Sequence, residues 1–275
     1  MQEAVKIFSF GGGVQSTAVL LMHIKGIVEY DYFVFSDVGD DSENPDTIEY
    51  MDDFIYPLVK EHNIPFAIVG KTRFGIPDTV YKSVMRDNRS IPIPVKLPSG
   101  AYGNRSCTSD FKIVPVDRWI KQNYPGRKVD LSIGFSTDEM RRVEKKPEGY
   151  HSAHGRRKYG FEKRFVFPLV EHNMSRHDCH ALIAEFGLPE TPSSACWFCP
   201  FKSRQSWMEL RRRRPDLYEE SIKIEDFCNR KRGTLGKGAV SIHRDGFLKD
   251  IPEQSTMLDV FFDDLDGCDS GYCGL

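Results

Sequence analysis

A run of three glycines near the N-terminus constrains the fold of this chain more than any other feature. It joins the apolar run VKIFSF at residues 5–10 to a helical pattern at residues 16–25. The sequence therefore predicts a buried strand that turns sharply into a helix. Glycine lets backbone N–H groups approach a ligand closely, and a helix N-terminus attracts anions. A bound phosphate fits this junction, although a tight turn that is merely rich in glycine would look the same.

Strand and helix patterns alternate through most of the chain, which predicts an α/β fold with a doubly wound, mainly parallel sheet. In such sheets, ligands bind beyond the carboxyl ends of the strands. The predicted strands cover residues 5–10, 32–37, 66–69, 129–135 and 165–169. The predicted helices cover residues 16–25, 45–62, 113–123 and 175–186, and a further helix begins at Ser136 or Thr137.

The composition changes near residue 189, where we predict a domain boundary. Residues 1–188 form the predicted nucleotide-binding α/β domain, and residues 189–275 form a helical, cysteine-containing C-terminal extension. This extension holds a basic helix that Pro215 breaks or kinks and a hairpin signal at Asp245 and Gly246. The proline-rich residues 90–100 predict an ordered loop or a lid. No run reaches the roughly 20 apolar residues that cross a bilayer, so we expect a cytoplasmic protein without a membrane partner.

The glycine junction resembles the phosphate loop of the PP-loop ATP pyrophosphatases, a family with the adenine nucleotide α-hydrolase-like fold. Residues 11–16 read GGGVQS, where that family has Ser-Gly-Gly-x-Asp-Ser, so Gly11 and Gln15 depart from the pattern. VFSDVG at residues 34–39 and ENPDT at residues 43–47 resemble the family's second-strand and helix-start segments. IGFSTDEMRR at residues 133–142 resembles its Gly-x-Arg-x-x-Glu-Ser-x-x-Arg segment, with Phe135 in place of the first Arg.

The resemblance implies an ATP site, usually with Mg²⁺, in which the loop holds the β,γ-pyrophosphate that leaves. Catalytic roles at the loop fall to Gly12, Gly13 and Ser16. The implied nucleotide contacts are Ser9, Phe10, Gly11, Gly12, Gly13, Gln15, Ser16, Thr17, Ser36, Asp37, Gly134 and Arg141. Two of these have plain structural alternatives: Asp37 could cap a turn, and Arg141 could lie on a solvated helix face.

Three of the seven cysteines form a second candidate site. Cys196 and Cys199 have the Cys-x-x-Cys spacing that is typical of metal, cluster or redox sites, and Cys107 lies just before a predicted helix. The arrangement resembles adenylylsulfate reductases and PP-loop sulfurtransferases, in which such cysteines hold a [4Fe–4S] cluster. Ser106 stands where the reductases have another cysteine. Structural zinc is the alternative. A fourth ligand could come from Cys179, Cys228, Cys268 or Cys273.

The C-terminal sequence Cys-Gly-Leu at residues 273–275 resembles the reductase tail whose cysteine attacks a sulfonucleotide, although the neighbouring Glu and His are absent. The resemblance therefore implies a catalytic role for Cys273, and a frayed terminus is the alternative.

Basic residues cluster at residues 141–164 and 211–214, although the formal net charge is −2. They could form a positive track for nucleic acid, with Tyr150, His151, His154 and Tyr159 available for stacking, or remain solvated surface. The leading hypothesis is an ATP-dependent sulfurtransferase acting on DNA, as in phosphorothioation, or else on tRNA, with a cysteine desulfurase as sulfur donor. The alternatives are a phosphoadenylylsulfate (PAPS) or adenylylsulfate reductase and a non-catalytic nucleotide-binding component of a larger assembly.

Overall fold

Five parallel strands form the centre of the fold, as the alternating sequence pattern predicts. The computed structural model describes residues 3–152 and 160–252. The strands are β1 (Val5–Phe10), β2 (Tyr32–Asp37), β3 (Phe66–Gly70), a hairpin of β4 (Thr72–Arg73) and β5 (Ile76–Pro77), β6 (Lys128–Ile133), β7 (His151–Ser152) and β8 (Glu162–Val166). The main sheet has the order β3-β2-β1-β6-β8-β7, in which β7 alone pairs antiparallel.

Helices alternate with the strands along most of the chain. They are α1 (Val14–Ile24), α2 (Pro45–Tyr50), α3 (Tyr56–Glu61), α4 (Val80–Val84), α5 (Ser106–Thr108), α6 (Val114–Asn123), α7 (Met140–Val143), α8 (Pro168–Glu171), α9 (Arg176–Glu185), α10 (Arg204–Arg213) and α11 (Pro215–Gly233). π-Helical turns at Met51–Ile55 and Ser109–Ile113 join α2 to α3 and α5 to α6, and short 3₁₀ turns lie at Thr137–Glu139 and Leu248–Asp250.

Apolar side chains cover both faces of the sheet, because successive residues of a strand point to opposite faces. On one face, Phe8 and Phe33 pack with α1 and α9. On the other face, Ile7 and Leu131 pack against Val116 of α6. Helices on both faces are the mark of a doubly wound α/β fold, so this prediction is confirmed.

A third apolar cluster lies beside the sheet. It includes Val80 of α4, Trp197 and Phe198, and Trp207 of α10. The carboxylate of Glu225 in α11 accepts hydrogen bonds from the backbone N–H groups of Ile242 at 2.7 Å and Leu248 at 3.0 Å, which fixes the last described segment to that helix.

The division into two domains at residue 189 stays a prediction. Among the described residues, none of the helices is both long and apolar enough to cross a bilayer.

Several predicted elements were wrong in detail. The strand predicted at residues 129–135 is β6, which ends at Ile133, and a π-helical turn interrupts the helix predicted at residues 45–62. The strand predicted at residues 165–169 is β8, which ends at Val166, because Pro168 lacks an N–H for the ladder and begins α8 instead. The hairpin predicted at Asp245 and Gly246 is only an isolated antiparallel bridge between His243 and Gly246. The break predicted at Pro215 is confirmed, since α10 and α11 meet there.

Candidate nucleotide cleft and thiol cavity

A cleft opens at the point where the strand order reverses, between the carboxyl ends of β1 and β6. From β1 the chain crosses over to β2 on one side, and from β6 it crosses to β8 on the other. This is where doubly wound sheets bind ligands. Eight of the predicted nucleotide contacts line this nucleotide cleft: Ser9, Phe10, Gly11, Gly13, Gln15, Ser16, Ser36 and Gly134.

The glycine loop is held in one shape by its own polar groups. Gly12 has φ +77°, a conformation that favours glycine, and a Cβ there would lie 3.3 Å from Cγ2 of Thr47. The Ser16 hydroxyl lies 2.8 Å from the Gly13 carbonyl oxygen, to which it donates, and 3.0 Å from the Gly13 nitrogen. The hydroxyl of Ser194 donates to the carbonyl of Gly11. The loop thus directs the N-terminus of α1 toward the cleft.

Gln15, one of the two departures from the family pattern, belongs to a polar network. Its side-chain nitrogen donates to Glu139 at 3.1 Å, and its oxygen accepts from Arg176 at 3.3 Å. Glu139 also forms an ion pair with Arg142. Burial raises the pKa of Glu139, and the positive charge of Arg142 opposes this rise. An Asp at position 15 would instead bring a second carboxylate toward Glu139, so the local environment explains the glutamine.

Three charged residues in the cleft wall are not among the predicted site residues: Glu43, Lys112 and Arg176. Glu43 is 4% exposed, and burial raises its pKa while Lys112 and Lys202 oppose the rise. Lys112 lines both this cleft and the neighbouring cavity described below. The sequence marks Arg176 only as the first residue of a helix capped by Ser175, so nothing in it places this side chain next to Gln15.

Four predicted nucleotide contacts are not among the residues that line the cleft. A Cβ added at Gly12 would face Thr47, Phe35 and Ser194, and Thr17 is fully buried. The carboxylate of Asp37 accepts the backbone N–H of Gly39 at 2.7 Å, which is the turn cap that we considered as its alternative. Arg141 is exposed on α7. It is Arg142 whose guanidinium lies over the ring of Phe135, 4.1 Å from its centroid, and Phe135 lines the cleft.

Cys107, Cys196 and Cys199 line one cavity, the thiol cavity, together with Val38, Val80 and Ile93. Trp197 fixes the Cys-x-x-Cys loop, because its indole N–H donates to the carbonyl of Asp41 at 3.0 Å and its backbone N–H donates to Ser42 at 3.1 Å. Cys107 is positioned by its backbone N–H, which donates to Pro92 at 2.9 Å. The three predicted thiols therefore line one cavity, and their role as metal ligands stays a prediction.

The donor set suits a soft metal centre. Burial raises the pKa of all three thiols, and nearby Arg105 and Lys112 oppose the rise at Cys107. Coordination would keep such buried sulfurs deprotonated, because thiolates are the form that binds metal. Within residues 3–152 and 160–252, no three His, Cys, Asp or Glu side chains lie close enough together to form a preassembled ion site. A shared centre would therefore require the thiols to close around it.

Two of the other cysteines, Cys179 and Cys228, lie away from this cavity. Cys179 and Cys228 are fully buried in apolar clusters, and burial raises the pKa of Cys179 to about 12 and of Cys228 to about 11. Neither lines the cavity. Cys268 and Cys273 lie outside the described residues. The fourth ligand and the catalytic role of Cys273 stay predictions.

Much of the basic surface is paired within the chain. Arg213 lies 3.1 Å from Asp46, and Arg214 lies 2.7 Å from Asp216. Arg211 donates to the carbonyl of Ile251. In the other stretch, Arg164 pairs with Asp130, and Lys163 pairs with Asp117. His154 and Tyr159, two of the proposed stacking residues, lie outside the described part of the chain.

The chain is similar to a solved structure, although comparison with family models and curated sequences finds no match. The U34-tRNA thiolase NcsA from Methanococcus maripaludis, solved with its [4Fe–4S] cluster, is similar at 13% sequence identity and a TM-score of 0.42. The match covers 98% of this chain and 81% of the thiolase.

Proposed function

We propose that this protein splits ATP to AMP and pyrophosphate in order to activate a nucleic-acid oxygen for replacement by sulfur. One observation carries the proposal: the nucleotide cleft and the thiol cavity are neighbours that share Lys112 in their walls. A site for an activating nucleotide thus lies beside a site for sulfur chemistry. DNA phosphorothioation is the first acceptor reaction to consider, and tRNA thiolation is the second.

The cleft supplies groups that suit a triphosphate. The N-terminus of α1 offers a positive field, and Arg176 and Lys112 add two positive charges to the wall. Charge that develops on a departing pyrophosphate would be stabilised there by groups already in position. Mg²⁺ is bound in such sites largely through the phosphates, so the single lining carboxylate, Glu43, does not count against it.

The reaction has two displacements. An acceptor oxygen attacks the α-phosphorus of ATP, the bond from that phosphorus to the bridging oxygen breaks, and pyrophosphate leaves. Hydrosulfide then displaces AMP from the activated acceptor, which loses the oxygen to AMP and keeps the sulfur. Neither step changes an oxidation state when hydrosulfide is the donor. A cysteine desulfurase would supply this sulfur as a persulfide, and a thiol reductant would release it as hydrosulfide, with a disulfide as the oxidised product.

Cys107, Cys196 and Cys199 would hold a [4Fe–4S] cluster. Three thiolates leave one iron without a protein ligand, and the chemistry that such a cluster would supply is an open iron able to bind sulfur. The three residues need only be deprotonated and drawn together, since all three already line one cavity.

ATP turnover tests the nucleotide half of the proposal. With hydrosulfide and a nucleic-acid acceptor under anaerobic conditions, the protein is expected to release AMP and pyrophosphate in equal amounts. Ser16→Ala removes the hydroxyl that bridges Gly13, and Gly12→Ala strains a backbone at φ +77°. Each change should lower pyrophosphate release by about tenfold to hundredfold.

Gly26→Ala is the matched control, because Gly26 also has a positive φ, +71°, but has no neighbour within 4 Å of an added Cβ. It should leave the rate unchanged. Formation of ADP, or a rate indifferent to both loop variants, would remove the loop from the mechanism. Sulfite produced from a sulfonucleotide and lost in Cys273→Ser would instead identify a reductase, and ATP recovered intact would identify a binding component.

Metal analysis tests the thiol half. After anaerobic purification, we expect about four irons and four acid-labile sulfides per chain with a broad visible absorption band, as a [4Fe–4S] cluster requires. Cys196→Ser should abolish the band, whereas Cys228→Ser, at a buried position away from the cavity, should retain it. Zinc in place of iron, or a metal content unaffected by Cys196→Ser, would refute the cluster assignment.

A further inference from the structure

Consecutive residues connect the wall of the nucleotide cleft to the wall of the thiol cavity. Ser193 and Ser194 line the cleft, and Ala195 and Cys196 line the cavity. We call residues 193–196 the connecting segment. We propose that Ser194 is a positioning residue through which this segment couples the two sites, so that a metal centre at the thiols tightens nucleotide binding at the glycine loop. The identities of the nucleotide and the metal rest on the proposed function, whereas the coupling rests on the contacts of the segment.

The cleft end of the connecting segment holds the glycine loop. The hydroxyl of Ser194 donates to the carbonyl of Gly11. The Ser194 side chain also packs along the rest of the loop, because Cβ atoms added at Gly12 and Gly13 would each lie 3.5 Å from it. Gly11 has no side chain of its own, so the loop depends here on a hydroxyl that lies 183 residues away in the chain.

The cavity end of the connecting segment carries a thiol. The carbonyl of Ala195 accepts the backbone N–H of Asn44 at 3.1 Å, and Cys196 forms an isolated antiparallel bridge with Glu43. These contacts hold the short stretch of backbone between Ser194 and Cys196 in place. Because two residues of chain span at most about 7 Å, the position of Cys196 restricts where the Ser194 hydroxyl can lie.

Closure of the thiols is the step that would act on the loop. In the described part of the chain, the three thiols do not form a preassembled ion site, so metal binding must draw Cys196 toward Cys107 and Cys199. Once Cys196 is fixed, Ser194 has fewer positions to occupy, and the glycine loop that it holds is ordered before the nucleotide arrives. The loop then loses less conformational freedom on binding, which raises the affinity for the nucleotide.

This coupling would give the reaction an order. ATP binds best to protein whose thiols already hold metal, so activation of the acceptor does not precede the means of delivering sulfur. Thermodynamic linkage requires the same effect in the opposite direction, and bound nucleotide should therefore tighten metal binding by the same factor.

Calorimetric titration tests the coupling without requiring turnover. The probe is adenosine 5′-(α,β-methylene)triphosphate with Mg²⁺, which cannot be split between its α and β phosphorus atoms. It is titrated anaerobically into the full-length protein, first free of metal at the thiols and then reconstituted with iron and sulfide. Wild type is expected to bind the probe about tenfold more tightly in the loaded form, within the usual range for coupling between two sites. Zn²⁺ in place of iron and sulfide should give the same ratio, because the coupling requires only that the thiols close around a metal.

Ser194→Ala should bind the probe with equal affinity in its two forms, while metal analysis shows the same content as wild type. Ser193→Ala is the matched control. Ser193 also lines the cleft, but it contacts Thr47 through its backbone carbonyl, so the difference between the two forms should remain.

Equal affinities in the two forms of wild type would overturn the proposal. A Ser194→Ala variant that keeps the difference would overturn it too, because a purely structural role weakens both forms alike. If metal acts on nucleotide affinity through Ser194 but wild type releases no pyrophosphate from ATP, the proposed function fails and the coupling stands.

Discussion

Asp117→Ala is expected to destabilise the protein by about 3–5 kcal/mol, which is the cost of leaving a buried charge without its partner. The Lys163 ammonium lies 2.7 Å and 3.0 Å from the two carboxylate oxygens of Asp117. The two side chains are only 5% and 1% exposed, so water cannot replace the carboxylate. Urea denaturation of the variant and wild type, followed by tryptophan fluorescence, measures the difference in the free energy of unfolding.

The double variant Asp117→Leu with Lys163→Met is the control. It removes both charges and keeps most of the volume, so it should recover most of the lost stability, because an apolar pair avoids the desolvation of a buried ion pair. A loss below about 1 kcal/mol in Asp117→Ala alone would mean that Lys163 reaches water or another acceptor once Asp117 is removed.

Gly39→Ala is the second change with a large expected effect, and it combines two penalties. Gly39 has φ +102°, and an added Cβ would lie 2.3 Å from Cγ2 and 2.6 Å from Cβ of Thr79. The Cβ of Thr79 cannot move without its backbone, and rotation of Cγ2 away would break the hydrogen bond that the Thr79 hydroxyl donates to Asp41. The Gly39 carbonyl also accepts the backbone N–H groups of Ser42 and Glu43. We expect a loss of about 3 kcal/mol or more, together with displacement of the turn at residues 39–43.

Gly26→Ala isolates the backbone penalty, because it has a positive φ and open space around the added Cβ. It should cost about 1 kcal/mol. Urea denaturation gives both values. The amount of the proposed iron–sulfur cluster would report on the thiol cavity, since Trp197 docks on this turn through Asp41 and Ser42. Equal losses of stability in the two variants would show that the Thr79 side chain can move away from the added methyl group, so that the clash at Gly39 contributes little.

The order and type of the sheet elements could be predicted because they depend on local patterns. The boundaries of β1 and β2 match the apolar runs, and the loop between β1 and α1 follows from its glycines. The error at β8 has a local cause too: the aromatic residues before Pro168 look like a strand that continues, but the proline ends the ladder. The π-helical turns had no signal in the apolar periodicity, because they shift the helix face without ending it.

The predicted residues that line the cleft and the cavity came from contiguous segments and from the family resemblance, which supplied Ser36, Gly134 and Cys107. The glycine loop is a contiguous segment, and Cys196 and Cys199 are near neighbours in the sequence. The Gln15–Glu139–Arg176 network joins residues from three distant segments. Local patterns in a single sequence do not predict contacts between such segments. Arg141 and Arg142 are adjacent, and the sequence could not tell which one reaches Phe135.

The contacts that anchor the Cys-x-x-Cys loop determine at which stage of folding the thiol cavity can form. The Trp197 indole holds a carbonyl that lies 156 positions earlier in the chain, and Cys196 pairs with Glu43 in an isolated β-bridge. Closing so long a loop is entropically costly, so this contact forms only after the intervening sheet has ordered. No single segment supplies all three thiols. During synthesis, a metal centre would therefore enter a domain that has already ordered, and its delivery would compete with oxidation of three half-buried thiols rather than with misfolding of the chain.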